Sequence, residues 1–233
     1  MHIRSLCLAA AAIALLVAAP ALLSSRAQAG DLDREIPAAL SDPANPAATE
    51  TAVLAGGCFW GQQGLFEHVK GVTRVVAGYA GGSSRDASYE RVSSETTGHA
   101  EAVQIIFDPR QVSFATLLRI YFSVAHDPTQ VNRQGPDTGS SYRSEIFAAG
   151  DLQAATARAY IAQLDRADIF AAPIATRVEP LKGFYRAEGY HQDYLVHNPD
   201  SAYIQINDLP KIRALNKVWP QYYSQKPVLL AAG

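Results

Sequence analysis

The sequence predicts an α+β fold, a single domain in which a mixed β-sheet is covered by helices around a ferredoxin-like core. Strand-like and helix-like patterns follow one another in the order β-α-β-β-α-β-α-β-α from about residue 51. This order combines hairpin-like and crossover connections, whereas a doubly wound parallel sheet requires crossovers throughout. A length of about 200 residues also suffices for one domain with a substantial core.

The predicted strands are short, mostly apolar runs that end at turn-forming residues. They span residues 51–55, 72–79, 102–107, 144–148 and 174–179. The first runs into the tight turn at Gly56-Gly57, and the third stops at Asp108-Pro109. We therefore expect a sheet of five short strands.

The predicted helices place apolar side chains at helical spacing. They span residues 58–69, 113–125, 151–167 and 187–197. Ser113 is a favourable opening residue for the second helix, and Pro199 ends the last one. Residues 126–142 form a long loop rich in Gly, Pro, Asn and Asp, and loops of that length within compact domains are commonly functional. Most of the chain after the last helix is predicted to be irregular.

The first 29 residues have the pattern of a cleaved signal peptide. His2 and Arg4 precede an apolar stretch broken by Pro20, and Ala27-Gln28-Ala29 is a small-residue cleavage site. An uncleaved membrane anchor is the alternative, since the stretch approaches spanning length. Cleavage predicts an exported protein, in a bacterium a periplasmic one. We expect residues 30–50 to be a flexible leader, 51–223 the folded domain and 224–233 a flexible tail.

The charge balance gives no reason to expect a polyanionic partner. Cleavage removes Arg4 and Arg26 and no acidic residue, which leaves 18 basic against 22 acidic side chains. An excess of negative charge does not favour binding to nucleic acid or to an anionic membrane. We therefore expect neither as a partner after cleavage, and we expect a monomer.

Sulfur is scarce in the mature chain. Cys7 and Met1 belong to the signal peptide, so Cys58 is the one remaining cysteine and no intramolecular disulfide is possible. A lone cysteine in an exported protein pairs with another molecule, is an inert buried thiol, or is reactive. A metal site is not expected, because the histidines show neither CxxC, HxxxH nor HExxH spacing, and no cofactor is predicted.

The surroundings of Cys58 favour the reactive alternative. Between a strand and a helix, the thiol faces unpaired backbone N–H groups and the positive end of the helix dipole, which lower the pKa of a cysteine. Phe59 and Trp60 follow it directly and project about 100° apart on a helix. They cannot both share one core-facing stripe with Cys58, so at least one is expected to line an apolar pocket beside the sulfur.

Polar side chains at three other places are candidates to assist a thiolate. His99 and Glu101 stand at the entry of a buried strand, Tyr89 lies in a polar loop, and Asp137 and Tyr142 precede another strand. A carboxyl group near an apolar cavity has a raised pKa and can donate a proton, and tyrosine hydroxyls are neutral hydrogen-bond donors. For each residue singly, a capped strand end or a surface tyrosine is the alternative.

Together, the motifs around these residues resemble those of one enzyme family, the peptide methionine-S-sulfoxide reductases of the A class. The resemblance covers nearly all of residues 51–199. The matching segments are Gly57-Cys58-Phe59-Trp60-Gly61, Gly78-Tyr79-Ala80-Gly81-Gly82, Thr97-Gly98-His99-Ala100-Glu101-Ala102-Val103, His126-Asp127-Pro128, Arg133-Gln134-Gly135, Asp137-Thr138-Gly139, Tyr142-Arg143-Ser144 and Tyr190-His191-Gln192-Asp193-Tyr194-Leu195.

The resemblance implies a role for each candidate residue. Cys58 matches the nucleophile that attacks the sulfoxide sulfur, and the product is methionine with a cysteine sulfenic acid. The implied substrate is the S-epimer of methionine sulfoxide, free or in proteins. The other implied roles are a methyl pocket formed by Phe59 and Trp60, a proton-donating acid at Glu101, oxygen-binding hydroxyls at Tyr89 and Tyr142, and substrate positioning by Asp137.

The chain departs from the family pattern in its C-terminal segment. Many family members carry resolving cysteines there, whereas residues 201–233 contain none. The resemblance therefore implies regeneration by an external thiol or a thioredoxin-like protein. Two alternatives stay open: a cysteine hydrolase or acyltransferase with His99 or His126 as the base, and a non-enzymatic redox-sensing domain that captures partners through Cys58.

Overall fold

The structure is a computed structural model that describes residues 34–230. The predicted signal peptide lies outside the described residues. Within residues 34–230, the eight strands are β1 (Glu50–Ala55), β2 (Val72–Ala80), β3 (Ala100–Phe107), β4 (Arg133–Gln134), β5 (Asp137–Thr138), β6 (Glu145–Ala148), β7 (Arg177–Pro180) and β8 (Phe184–Arg186). The six α-helices of this described part are α1 (Phe59–Glu67), α2 (Tyr89–Val92), α3 (Phe114–Ile120), α4 (Asp151–Arg166), α5 (Tyr194–His197) and α6 (Leu209–Val218).

The main sheet is mixed and has the strand order β7-β6-β1-β3-β2-β8. Its four central strands, β6-β1-β3-β2, are antiparallel neighbours, and only β7 pairs in parallel, with β6. Helices α1 and α3 connect β1 to β2 and β3 to β6, which gives the βαββαβ connectivity of a ferredoxin-like core. The predicted α+β class is confirmed.

Alternation along the strands separates the two faces of the sheet. On β1, Ala52 and Leu54 belong to the main core with α1, α3 and α4, whereas Val53 and Ala55 belong to a smaller cluster on the opposite face. The smaller cluster is mostly alanine, and Phe147 is its one large fully buried member. The larger core thus holds α1 against β2 and β3, and this contact fixes the position of the segment that begins at Cys58.

The segment before α5 differs from the helix predicted over 187–197. Residues 187–197 follow strand β8 and contain a 3-10 turn at Gly189–His191 and the short helix α5. The interruption follows from Gln192 and Asp193, whose side chains bond to β2 and α1, with Asp193 at φ 52°. The prediction of a continuous helix was wrong because it weighed apolar spacing and not these buried polar contacts.

The Gln192 side chain makes three of these buried hydrogen bonds. Its side-chain oxygen accepts from the N–H of Ala77 at 3.0 Å, and its amide donates to the carbonyls of Ala77 and Ala187, each at 3.0 Å. We expect Gln192→Leu to lower the free energy of unfolding by about 2–4 kcal/mol, because buried backbone groups lose their partners. Urea denaturation measures this loss, and the exposed Gln221→Leu is the control. A change below about 0.5 kcal/mol would contradict the contact's importance.

The C-terminal segment is more ordered than predicted. A π-helical stretch at Ile204–Asp208 leads into α6, which has proline in its first turn. Helix α6 buries Ala214 and Leu215, so the prediction that this part of the chain is irregular was wrong. Beyond it, the N–H groups of Ser224 and Val228 donate to carbonyls at the end of α1, so the described part of the predicted flexible tail is docked.

The predicted flexible leader is also packed in its described part. Ile36 is 1% exposed and belongs to the main core. Arg119 donates to the Ile36 carbonyl at 2.7 Å, and the Tyr160 hydroxyl donates to the Pro37 carbonyl at 2.6 Å. These contacts attach the leader to α3 and α4, although it forms neither helix nor strand before Glu50. None of the described helices is long and apolar enough to cross a membrane.

Candidate active site

Cys58 is the residue that caps the N-terminus of α1, directly after the turn that leaves β1. Gly57 adopts φ 94°, a conformation that disfavours other residues, and a side chain there would overlap Gln134. The two glycines therefore permit a sharp turn with a neighbouring loop packed on it. Cys58 is half-buried and free of any disulfide, as predicted for a lone thiol at the start of a helix.

Glu101 is the carboxyl group beside this thiol. It lies near the start of β3, is 3% exposed, and accepts a hydrogen bond from the N–H of Phe59 at 3.0 Å. The Cys58 thiol and this carboxyl group influence each other electrostatically. The backbone of the first turn of α1 thus holds the acid and the sulfur next to each other.

Burial raises the pKa of Glu101 to about 8, with a smaller contribution from the negative charge of Asp137. The hydrogen bond from Phe59 works in the opposite direction and does not offset the desolvation. Near neutral pH the carboxyl group is therefore mostly protonated. The rise in pKa that the sequence predicted for this residue is confirmed.

The predicted lowering of the Cys58 pKa is wrong. Burial raises the pKa of the thiol well above its ordinary value, and the charges of Glu101 and Asp208 raise it further. A backbone hydrogen bond involving Trp60 and the charge of Lys211 lower it by less. The nine-residue helix α1 offers a positive N-terminus, but its effect is outweighed by removal of the sulfur from water. The thiol and the acid are both protonated near neutral pH.

Phe59 and Trp60 anchor a group of aromatic rings on one side of Cys58. Phe59 is 1% exposed and lies 5.0 Å from the His191 ring, between centroids. Trp60 stacks on Tyr194 with centroids 3.8 Å apart, and its indole N–H donates to His191 Nδ1 at 3.1 Å. The two side chains diverge from the helix, one into the core and one into an aromatic stack. Neither of them lines the cleft that opens at Cys58, so the predicted lining of that cleft by Phe59 or Trp60 is not confirmed.

Tyr142 and Tyr89 occupy different environments around this group. Tyr142 is half-buried, and burial together with the charges of Glu101 and Cys58 raises its pKa, so its hydroxyl stays a neutral donor. Tyr89 is 38% exposed, and its ring lies 4.7 Å from that of His191. The structure thus brings Tyr142 into the electrostatic range of the thiol and the acid and places Tyr89 at the rim.

A short network positions the segment that carries Tyr142. The Glu95 carboxylate accepts from the backbone N–H of Ser141 at 2.8 Å and from its hydroxyl at 2.6 Å. Arg143 donates to the carbonyls of His99 and Ser140 at 3.1 and 2.8 Å. The Arg143 side chain therefore connects the segment that carries Tyr142 to the start of β3, the strand that carries Glu101.

Asp137 lines, together with Cys58, a cleft of about 300 Å³. The hydroxyl of Tyr203 donates to its carboxylate. Apart from Cys58, the residues that line the cleft come from the long loop and from the C-terminal segment: His126, Asp127, Gln130, Gln134, Gly135, Pro136, Asp137, Tyr203, Ile206, Asn207, Pro210 and Lys211. Cys58 is thus reached from a cleft that contains carboxamides, carboxylates and one lysine.

The two histidines considered as bases are both committed to other contacts. His99 accepts from the N–H of Gly82 and donates to the carbonyl of Ser83. His126 lines the cleft, but its nitrogens bond to the Tyr121 carbonyl and the Ser144 hydroxyl, and burial lowers its pKa to about 3. Neither arrangement favours a cysteine–histidine hydrolase. Among residues 34–230, no group of three or more His, Cys, Asp or Glu residues could hold a metal ion.

Tyr203, Asp208 and Lys211 also belong to the site, and the sequence analysis missed them. They lie in the segment that was expected to be irregular. The signal that could have located them is Asp208-Leu209-Pro210-Lys211, in which an acidic residue precedes a proline in the first turn of a helix. Spacing alone could not have indicated that this helix returns to Cys58.

Comparison with known proteins agrees with this arrangement. A sequence model of the family described as peptide methionine sulfoxide reductase matches residues 50–223. The chain is 56% identical to peptide methionine sulfoxide reductase MsrA 2 of Mesorhizobium japonicum over 182 residues, 78% of this chain and 93% of that protein. It is 52% identical to the Synechocystis protein of the same name over 178 residues, covering 76% and 81% of the two chains.

Solved structures show the same relationship. Reduced Mxr1 from Saccharomyces cerevisiae is 33% identical with a TM-score of 0.59, over 70% of this chain and 92% of that one. Methionine sulfoxide reductase A of Corynebacterium diphtheriae is 38% identical with a TM-score of 0.57, over 66% and 77%. The chain therefore belongs to the peptide methionine sulfoxide reductase family and is an oxidoreductase of its MsrA class.

Proposed function

We propose that the chain reduces the S-epimer of methionine sulfoxide to methionine, in proteins and as the free amino acid, with Cys58 as nucleophile. The observation that carries the proposal is the position of the buried Glu101 carboxyl group, which the N–H of Phe59 holds beside the half-buried thiol of Cys58. A sulfoxide is a poor electrophile until its oxygen accepts a proton or a strong hydrogen bond. Glu101, with its pKa raised to about 8, supplies that proton at neutral pH.

The first step balances without an external proton. A bond forms between Cys58 Sγ and the substrate sulfur as Glu101 protonates the sulfoxide oxygen. The S–O bond then breaks and the oxygen bonds to Cys58 Sγ as a sulfenic acid, while the Sγ–S bond breaks and methionine leaves with its electron pair. The thiol proton returns to Glu101, so a raised thiol pKa is compatible with the reaction.

Different neighbouring side chains bind different parts of the substrate. Tyr142, and Tyr89 at the rim, donate hydrogen bonds to the sulfoxide oxygen, while Phe59 and Trp60 hold the S-methyl group. Asp137 lies in the cleft, where a carboxylate can accept from an N–H of the substrate backbone. The close contact between the Trp60 and Tyr194 rings supports a rigid wall for so small a group.

Regeneration requires a thiol from outside the chain. An external thiol attacks the Cys58 sulfur, water leaves, and a mixed disulfide forms; a second thiol then releases Cys58 and carries away the disulfide. No cysteine follows Cys58 in the sequence, which supports this route. A dithiol of the thioredoxin type supplies both thiols. We further propose that the enzyme is a monomer and that it repairs oxidised exported proteins. The proposal of export is based on the signal-like first 29 residues.

The epimers of a methionine sulfoxide peptide test the substrate assignment. With dithiothreitol as reductant, we expect turnover of the S-epimer and at least about 100-fold less of the R-epimer, because the methyl pocket and the acid fix one arrangement at sulfur. Chiral chromatography of the remaining substrate measures both. Equal turnover of the epimers contradicts the assignment, and no turnover of either contradicts the proposed function.

A further inference from the structure

A buried ion pair lies against the first turn of α1, close to Cys58. Lys211 Nζ is 3.0 Å from Asp208 Oδ1, and the two side chains are 9% and 0% exposed. Gly61, three residues after Cys58, provides the room: a Cβ there would overlap the Asp208 carboxylate and lie 2.7 Å from Lys211 Nζ. The pair therefore packs directly on the backbone of the helix that begins at the nucleophile.

This pair is poorly explained by stability alone. Asp208 Oδ2 is buried and has no hydrogen-bond partner among the described residues. Burial raises the pKa of Asp208, and Lys211 only partly counteracts it. Removing two charges from water commonly costs more than their mutual attraction returns, above all when a carboxylate oxygen stays unpaired. An effect of the two charges on a neighbouring group is therefore the better explanation for their retention.

Cys58 is that neighbouring group. Lys211 lines the same cleft as Cys58, and in that lining it is the one cation, because burial keeps His126 neutral with a pKa of about 3. Asp208 and Lys211 act on the thiol with opposite signs. The titratable or charged side chains that face Cys58 from the packed elements and the cleft are Glu101, His126, Asp127, Asp137, Tyr142, Tyr203, Asp208 and Lys211.

We propose that the Asp208–Lys211 pair controls the charge of Cys58 Sγ, with Lys211 stabilising the thiolate and Asp208 opposing its formation. The two residues are positioning residues, since they act through Cys58. Asp208 favours the neutral thiol that shares its proton with Glu101 before the reaction. Lys211 stabilises the thiolate that leaves when the second thiol attacks the mixed disulfide. This last consequence rests on the proposed function, whereas the charge control itself does not.

The pH dependence of Cys58 alkylation by iodoacetamide tests the proposal in the full chain. The rate is followed by mass spectrometry of the Cys58 peptide between pH 6 and 10.5. We expect Asp208→Asn to move the profile towards lower pH and Lys211→Met to move it towards higher pH, each by about one unit, or tenfold in rate at a fixed pH below the midpoint. Lys211→Met removes the cation and leaves the Asp208 carboxyl group in its place against α1.

Two further variants separate charge from structure. Lys211→Arg retains the cation and is expected to keep the wild-type profile, as is Lys182→Met, which removes an exposed lysine. Lys211→Gln and Asp208→Ser replace any primary variant that does not fold, as judged by circular dichroism. Unchanged profiles in both charge variants, shifts in one common direction, or a shifted Lys211→Arg profile would each overturn the proposal. Because alkylation needs no methionine sulfoxide, it gives this answer even if the proposed function fails.

Discussion

Replacement of Cys58 by serine is expected to abolish reduction of methionine sulfoxide, with kcat lower by at least about 10⁴-fold. A serine hydroxyl is a far weaker nucleophile than a thiol, and no other cysteine follows in the chain. Methionine release from a sulfoxide peptide with dithiothreitol measures the loss. Because serine has nearly the same volume, the variant is expected to fold and to melt within a few degrees of the parent protein.

The second cysteine of the sequence provides a matched control. Cys7→Ser is expected to retain full activity, since Cys7 lies in the predicted signal peptide. In the first turnover without reductant, we expect each enzyme molecule to release one methionine and to form one sulfenic acid at Cys58, which dimedone traps. A Cys7–Cys58 disulfide in the substrate-oxidised full chain would contradict regeneration by an external thiol. Activity above about one tenth of wild type in Cys58→Ser would contradict the nucleophile.

Apolar patterns predicted most of the sheet and two of the long helices. The expected strand over 102–107 is β3, two residues longer at its start, and the helix over 151–167 is α4, one residue shorter. The helix over 113–125 is α3 followed by a π-helical turn at Tyr121–Ala125. These elements bury an apolar face against the core, and this is the property that periodicity reports.

Prediction failed where polar side chains determine the conformation. Around residues 187–197 and in the C-terminal segment, buried amides and carboxylates bond to distant backbone. Such contacts join positions more than 100 residues apart, as between Gln63 and Asp193, and no local pattern contains them. The leader shows the same limit, since one buried isoleucine and four side-chain hydrogen bonds to its carbonyl groups attach its described part.

The candidate site likewise contains features that local sequence predicted and features that it did not. The motif around Cys58 and the acid at Glu101 were predicted because short segments carry them, and the raised pKa of Glu101 follows from burial in a strand. The raised pKa of Cys58 was not predicted, because it depends first on burial and then on the charges of Glu101 in β3 and of Asp208, directly before α6. A helix N-terminus is a local feature of the sequence, whereas the desolvation that outweighs it is a property of the complete fold.

Replacement of Glu101 by glutamine is the sharpest test of the acid. We expect kcat to fall by about 10²–10⁴-fold, because the amide can donate a hydrogen bond to the sulfoxide oxygen but cannot transfer a proton. The parent enzyme loses this proton as the pH rises through about 8, so its kcat at saturating substrate is expected to decline above that pH. In Glu101→Gln this decline is expected to disappear. Single-turnover rates from pH 6 to 10 measure both effects.

The same experiment distinguishes reductase from hydrolase chemistry. Glu90→Gln removes an exposed carboxylate near Tyr89 and is expected to leave the rate and the profile unchanged. His126→Asn replaces a neutral ring whose two nitrogens both form hydrogen bonds, and it is expected to affect stability more than proton transfer. Full activity in Glu101→Gln with loss in His126→Asn would instead identify a cysteine–histidine enzyme. Since the Glu101 carboxyl lies beside the thiol and both His126 nitrogens are occupied elsewhere, the acid is the residue whose loss is expected to stop the reaction.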